Sequence, residues 1–155
     1  MKEKCLIVLK SKKNIINLAN SAKAQNDNKI NFLARETYIM VKRTYEELEP
    51  YFPAGHFGVT CKRYHGKDET GATKFWIGIS EFEADGGTDW AYDDNPLEKV
   101  YFVLEGEMTV TDKAGTKYVI HAGESISFPP NEGRGLKNES GKPAKMLVII
   151  NYPEN

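Results

Sequence analysis

The stretch that most constrains this chain is residues 96–138, PLEKVYFVLEGEMTVTDKAGTKYVIHAGESISFPPNEGRGLKN. From Lys99 the residues alternate, with Lys99, Tyr101 and Val103 on one side and Val100, Phe102 and Leu104 on the other. Gly106 interrupts that run, and Asp112-Lys113-Ala114-Gly115 has the composition of a hairpin turn. The chain then returns through Tyr118-Val119-Ile120, turns at Ala122-Gly123-Glu124, and makes a short strand over Ser125–Phe128 that Pro129-Pro130 stops. Strands this short cannot bury an apolar face alone, so they need a closed or doubled sheet.

The flanking segments follow the same grammar. Turn residues recur at Pro53, Gly55, Gly58, Gly66 and Gly71, with a strand expected over Gly58–Tyr64. In Lys74–Glu83, Phe75, Ile77 and Ile79 share one face while Trp76, Gly78, Ser80 and Phe82 share the other. Neither face is the wet one, which suits a strand covered on both sides, and Asp85-Gly86-Gly87 is expected to break it. A last strand is expected over Lys145–Ile150, after Gly141-Lys142-Pro143. Thr44-Tyr45-Glu46-Glu47 matches the S/T-x-x-E capping box of a short helix ending before Pro50. The fold class expected for residues 40–155 is therefore all-β, a sandwich or barrel.

Residues 1–39 differ. They hold no Gly and no Pro, six Asn, and eight Lys or Arg against three acids, a charge of +5 that leaves −6 for the remainder. Ile15, Ile16, Leu18, Ala19 and Ala22 fit a short amphipathic helix, and the Lys/Asn richness fits a disordered extension equally well. The segment is expected to lie outside the core domain, with Met40 as the biological start.

Length and charge exclude several function classes. At 155 residues there is room for about one domain. A net charge of −1 gives no general attraction for nucleic acid or an anionic membrane. The apolar runs in KCLIVLK and MLVII fall far short of a membrane span, and a cytoplasmic location is expected. Cys5 and Cys61 stand 56 positions apart with no CxxC or Cys/His pairing, so neither a disulfide framework nor a zinc site is indicated.

Lys99-Val-Tyr-Phe-Val-Leu-Glu105-Gly106 and Gly123-Glu-Ser-Ile-Ser-Phe-Pro129-Pro-Asn131-Glu-Gly-Arg134-Gly-Leu-Lys-Asn138 together resemble the two motifs of the cupin superfamily. That resemblance spans residues 72–152 and implies a double-stranded β-helix, the jelly-roll barrel that binds a metal or small molecule in its mouth. It also implies pairing into homodimers. A local stretch, Trp90-Ala-Tyr92-Asp93 leading into VLEGE, is similar to the ethanolamine-utilization cupin kinase.

In metal-binding cupins the ligands are the two His of H-x-H, a Glu and a second-motif His. Carried onto this chain, the H-x-H positions are Tyr92 and Asp94, or Asp93 and Asn95 with the shorter spacing. The Glu position is Lys99 and the His position Arg134. Two cations stand where neutral imidazole and carboxylate would hold a divalent metal, so no metal and no cofactor are expected. Tyr92, Asp94, Lys99, Tyr101 and Arg134 are instead expected to line a cavity that binds an anionic or carbonyl-bearing small molecule. Arg134 would act as a forked donor, Lys99 as point charge or proton donor and Tyr92 or Tyr101 as acid/base; a Lys99–Asp94 ion pair that merely closes the cavity is the alternative.

Trp76 is expected in the core and Trp90 at the mouth as a flat wall. Glu81 joins the cavity only if Phe75, Ile77 and Ile79 face inward. A second reading is a metal-dependent dioxygenase, isomerase or lyase with non-standard ligands drawn from His56, His65, Glu81 or Glu98. His121 is expected to be a surface residue.

Overall fold

The computed structural model describes residues 40–153. The expectations for residues 1–39, including the helix over 15–22 and the role of Met40, lie outside the described residues, as does Cys5. Nine strands are present: β1 (Pro50–Tyr51), β2 (His56–His65), β3 (Phe75–Ala91), β4 (Lys99–Glu105), β5 (Glu107–Thr111), β6 (Lys117–His121), β7 (Ser125–Phe128), β8 (Arg134–Lys137) and β9 (Ala144–Asn151). Among the described residues helix is confined to α1 (Lys67–Thr70) and one 3-10 turn, Tyr45–Glu47. The capping box does form there, the Glu47 carboxylate accepting the Thr44 N–H at 3.0 Å, but the helix stops after a single turn.

The strands run antiparallel in the order β6-β5-β8-β3-β9-β4-β7, with β2 also paired to β3, and close almost completely into a jelly-roll barrel. β3 makes that closure possible. Its first half pairs with β9, Phe75–Phe82 against Asn151–Ala144, and its second half pairs with β8, Gly87 to Lys137 through Ala91 to Arg134. The strand does not end at Asp85-Gly86-Gly87, contrary to the sequence expectation. It bends there and crosses from one sheet to the other. Asp85 takes a positive φ of 68°, and a side chain at Gly86 or Gly87 would meet the Gly58 or Leu136 carbonyl at 2.2 or 2.4 Å. The glycines therefore form a corner rather than a stop.

β4 keeps the alternation read from its sequence: Lys99, Tyr101 and Val103 are buried, and Val100, Phe102 and Leu104 point outward. β9 alternates likewise, with Ala144, Met146, Val148 and Ile150 inside. The turn at Asp112 is built as expected, its carboxylate accepting the Ala114 and Thr116 N–H groups at 2.9 and 2.8 Å. β8 is an addition, because its four residues, Arg-Gly-Leu-Lys, carry no apolar alternation to announce a strand. The core joins both sheets through residues such as Val59, Phe82, Val103, Met108, Val110 and Met146.

Candidate functional site

A cavity of about 200 Å³ opens inside the barrel above that core. Its walls are apolar on the β9 side (Met146, Val148, Ile150) and aromatic elsewhere (Tyr51, Trp76, Phe82, Tyr92, Tyr101). Arg63, Arg134 and His56 supply its cationic or titratable groups, and Cys61 and Ser80 sit on its wall. The Cys61 thiol is 3.5 Å from the Ser80 hydroxyl, and burial pushes its pKa up, so the thiolate is disfavoured.

Arg134 enters from the start of β8. Its residue is 3% exposed, and one Nη donates a short hydrogen bond to the Tyr101 hydroxyl. Its Nε and other Nη are buried and have no partner among the described residues. The guanidinium carbon lies 4.4 Å from the Tyr92 ring centroid and 5.3 Å from that of Tyr101, so aromatic faces hold the cation where no carboxylate does. Burial raises the Tyr101 pKa against the opposing pull of Arg134, which keeps this phenol protonated at neutral pH.

Lys99 lies beside this group. At 1% exposure it is among the most buried side chains of the barrel, its Nζ donating to the Leu97 carbonyl at 2.8 Å and lying 4.2 Å from the Tyr92 ring centroid. Desolvation, and then repulsion from Arg134, pushes its pKa below the usual lysine value. Tyr92 thus touches both cations, and it does so from a left-handed backbone position, φ 73°. A non-glycine residue held there is strained, and such strain concentrates at functional sites.

The other sequence candidates scatter. Asp94 is exposed and forms no ion pair with Lys99, so the self-satisfied pair is not formed. Glu81 is not a cavity residue: β3 turns Trp76, Ser80 and Phe82 inward, which places Glu81 on the outer face. There it accepts from the Tyr45 hydroxyl and pairs with Lys145 at 3.2 Å. Trp76 packs against the core as expected and lines the cavity as well, whereas Trp90 is not among the lining residues. Trp90 is 44% exposed and its indole N–H donates to Asp93 at 3.3 Å.

His56 faces the cavity with its Nδ1 3.1 Å from the Ala54 carbonyl oxygen. His65 ends β2 opposite Ile77, and Glu98 is exposed. His121 is on the surface as expected, between Glu107 and Glu124 at 3.6 and 3.2 Å. Among the described residues no three His, Cys, Asp or Glu side chains come together.

Arg63 was not singled out from the sequence. Its signal was present, because it falls in phase with Val59 and Cys61 on β2, two residues apart each time. Its Nε is buried without a partner among the described residues, its guanidinium carbon lies 4.8 Å from the Trp76 ring and 5.3 Å from the Tyr51 ring, and Glu69 approaches it only at 3.6 Å.

The fold and this half-open cavity define a jelly-roll barrel whose interior has room for a small molecule. Residues 78–150 match the family model of the cupin domain, which places this barrel in the cupin superfamily. It is 29% identical over 103 residues to a beta-D-galactosidase of Mycobacterium tuberculosis, covering 66% of this chain and 86% of that one. The polyketide cyclase RemF from Streptomyces resistomycificus has the same fold, with a TM-score of 0.65, 22% identity, and coverage of 73% of this chain and 80% of that chain. So does a predicted oxalate decarboxylase from Thermotoga maritima, with a TM-score of 0.60, 16% identity, and coverage of 74% and 100%. Names this different on one architecture mean that the fold does not select the reaction.

Proposed function

We propose that this cupin binds an anionic or carbonyl-bearing organic molecule without a metal, seating it on Arg134. The observation that carries this reading is the buried Arg134 guanidinium, two of whose nitrogens have no partner among the described residues. A buried cation of this kind is costly unless something completes it, and a carboxylate or carbonyl entering the cavity does so with charge-assisted hydrogen bonds. Tyr101 orients the guanidinium from one side. The aromatic and aliphatic walls then enclose the ligand's carbon skeleton, as in most small-molecule sites.

The residues at the family's metal positions do not suit a divalent cation. Lys99 and Arg134 add positive charge where carboxylate and imidazole would supply negative charge and lone pairs. The non-standard set fares no better, because Glu81 faces outward, Glu98 is exposed, and His56 stands apart from them at the cavity. Glycoside hydrolysis, suggested by the mycobacterial relative's name, uses a pair of carboxyl groups across the substrate. Among the described residues that line the cavity, none is Asp or Glu.

Thermal unfolding of the full chain against a panel of small carboxylates tests the proposal. At least one carboxylate should stabilise the wild type and fail to stabilise Arg134→Met. Equal stabilisation of both would remove Arg134 from the site.

We also propose that the chain acts as a homodimer through the outer face of the β3-β9-β4 sheet. Ile77, Ile149 and Val100 form one cross-strand row there, with Leu147 and Phe102 in the next, whose third member, Ile79, is already buried. Val100, Phe102 and Leu104 remain 36–40% exposed. A contiguous apolar face of this kind suits a symmetric partner. Light scattering on the wild type and Phe102→Glu should show a dimer and a monomer respectively. Among the described residues no helix is long and apolar enough to cross a membrane.

A further inference from the structure

We infer that the ligand is a compact dianion of the dicarboxylate class, one carboxylate held by Arg134 and the other by Arg63. The inference rests on the anion-binding reading above and adds the second anchor. Arg63, Gly78, Val148 and Tyr101 are successive partners across β2, β3, β9 and β4, so they form one cross-strand row. Arg63 stands at one end of that row. At the other stands Tyr101, whose hydroxyl carries Arg134. Three strand spacings separate the two ends, on the order of 14 Å between Cα atoms around the curved sheet.

Between them Gly78 contributes no side chain. A Cβ there would lie 3.2 Å from the Trp76 ring and 2.7 Å from the Lys62 carbonyl oxygen, so glycine lets the Trp76 ring lie over this part of the wall, against the Arg63 guanidinium. The two guanidinium groups therefore approach one cavity from separate walls, and both line it.

Charge points the same way. Lys99 and Arg134 have no acidic partner among the described residues, and Arg63 has only Glu69, at 3.6 Å on its outer side. A single carboxylate at Arg134 would leave Arg63 Nε unpaired, whereas a second carboxylate completes it. The cavity volume, about 200 Å³, sets the size. It slightly exceeds the roughly 150 Å³ that accommodates benzene, so a single ring or a short chain bearing two carboxylates is the scale it admits. Trp76 and Tyr51 flank the Arg63 end, Tyr92 and Tyr101 the Arg134 end, and these flat faces favour a planar or extended dianion.

The test is calorimetric titration of the full chain at constant ionic strength with matched pairs: benzoate against the three benzenedicarboxylates, and butyrate against succinate and glutarate. At least one dicarboxylate should bind tenfold or more tightly than its monocarboxylate partner. Arg63→Gln should erase that advantage, bringing the dicarboxylate affinity down to that of its monocarboxylate partner measured on the same variant, while Arg134→Met weakens both. Glu69→Gln, which frees Arg63 without touching the Arg134 end, should widen the advantage.

No dicarboxylate advantage in the wild type, or an advantage retained by Arg63→Gln, would overturn the dianion inference while monocarboxylate binding still supported the anion site. If no carboxylate of either kind bound, both readings would fall. The wild-type comparison and Glu69→Gln decide the matter even if Arg63→Gln does not fold.

Discussion

The cations on the outside of this barrel and those on the inside are treated in opposite ways. Outside, Lys145 sits between Glu81 and Glu105 at 3.2 and 3.5 Å, and Lys117 pairs with Glu139 at 2.7 Å. Water already solvates these groups, so the pairs add little to stability. Inside, Lys99 and Arg134 are nearly fully buried, and neither has an acidic partner among the described residues. A chain shaped only by stability would place its acids the other way round, since an unpaired buried charge costs far more than a solvated one. The difference is what the proposed anion site accounts for: charge left unpaired inside the barrel lowers the stability of the unliganded fold, and an entering anion would offset it.

The largest effect expected from breaking this contrast comes from Lys99→Met, which removes an interior charge while keeping volume. It should raise the stability of the ligand-free protein at neutral pH by about 1 kcal/mol or more, within the roughly 1–4 kcal/mol gained when buried ion pairs are replaced by apolar residues of similar volume. The pH dependence follows from the lowered lysine pKa. Between the folded and unfolded values the unfolded chain binds the extra proton, so wild-type stability contributed by this site rises with pH. The advantage of Lys99→Met should therefore be full below the folded pKa and shrink as the pH approaches the ordinary lysine value. Urea unfolding at pH 7 and pH 10 measures both; a destabilised variant would show that Lys99 contributes packing or bonding that outweighs its charge.

A smaller effect is expected on the outer face. Burial alone would raise the Glu81 pKa, but the hydrogen bond from Tyr45 and the pairing with Lys145 outweigh it and hold the carboxyl below its usual range. Glu81→Gln should cost about 0.5–1 kcal/mol above that range. The cost should disappear as the pH falls through the lowered value, because the depressed carboxylate pKa stabilises the fold only while the group is ionised. Acid unfolding curves for the two proteins should converge; a gap that persisted at low pH would mean that the charge is not what matters. The smallest effect belongs to Lys117→Ala, whose solvated pair should leave the urea midpoint unchanged within error.

Much of this contrast was legible in the sequence, for reasons that also explain where legibility stopped. The inward phase of β4 could be read because Lys99, Tyr101 and Val103 share a two-residue period, and motif spacing brought Arg134 beside Tyr101 in the cavity, whose lining does not include the expected Lys99. Spacing carries no information on which of two doubly covered faces is the inner one, so whether Glu81 joins the cavity stays open in the sequence. That choice is made by the pairing of β3 with β9, a contact between residues about 70 positions apart along the chain. Asp85-Gly86-Gly87 has the composition of a stop, yet a sheet-changing corner needs the same glycines. β8 could not be seen at all, since its strand character comes from β3 and β5 on either side of it.

The central claim, a metal-independent anion site built on the Arg134 fork, is tested most directly by calorimetry on chelator-treated full chain with the tightest-binding carboxylate. Wild-type affinity should survive chelation unchanged, and Arg134→Lys, which keeps the charge but loses the bidentate fork, should bind at least about tenfold more weakly. Undiminished binding by Arg134→Lys, or binding that returned only on adding a divalent metal, would contradict the account.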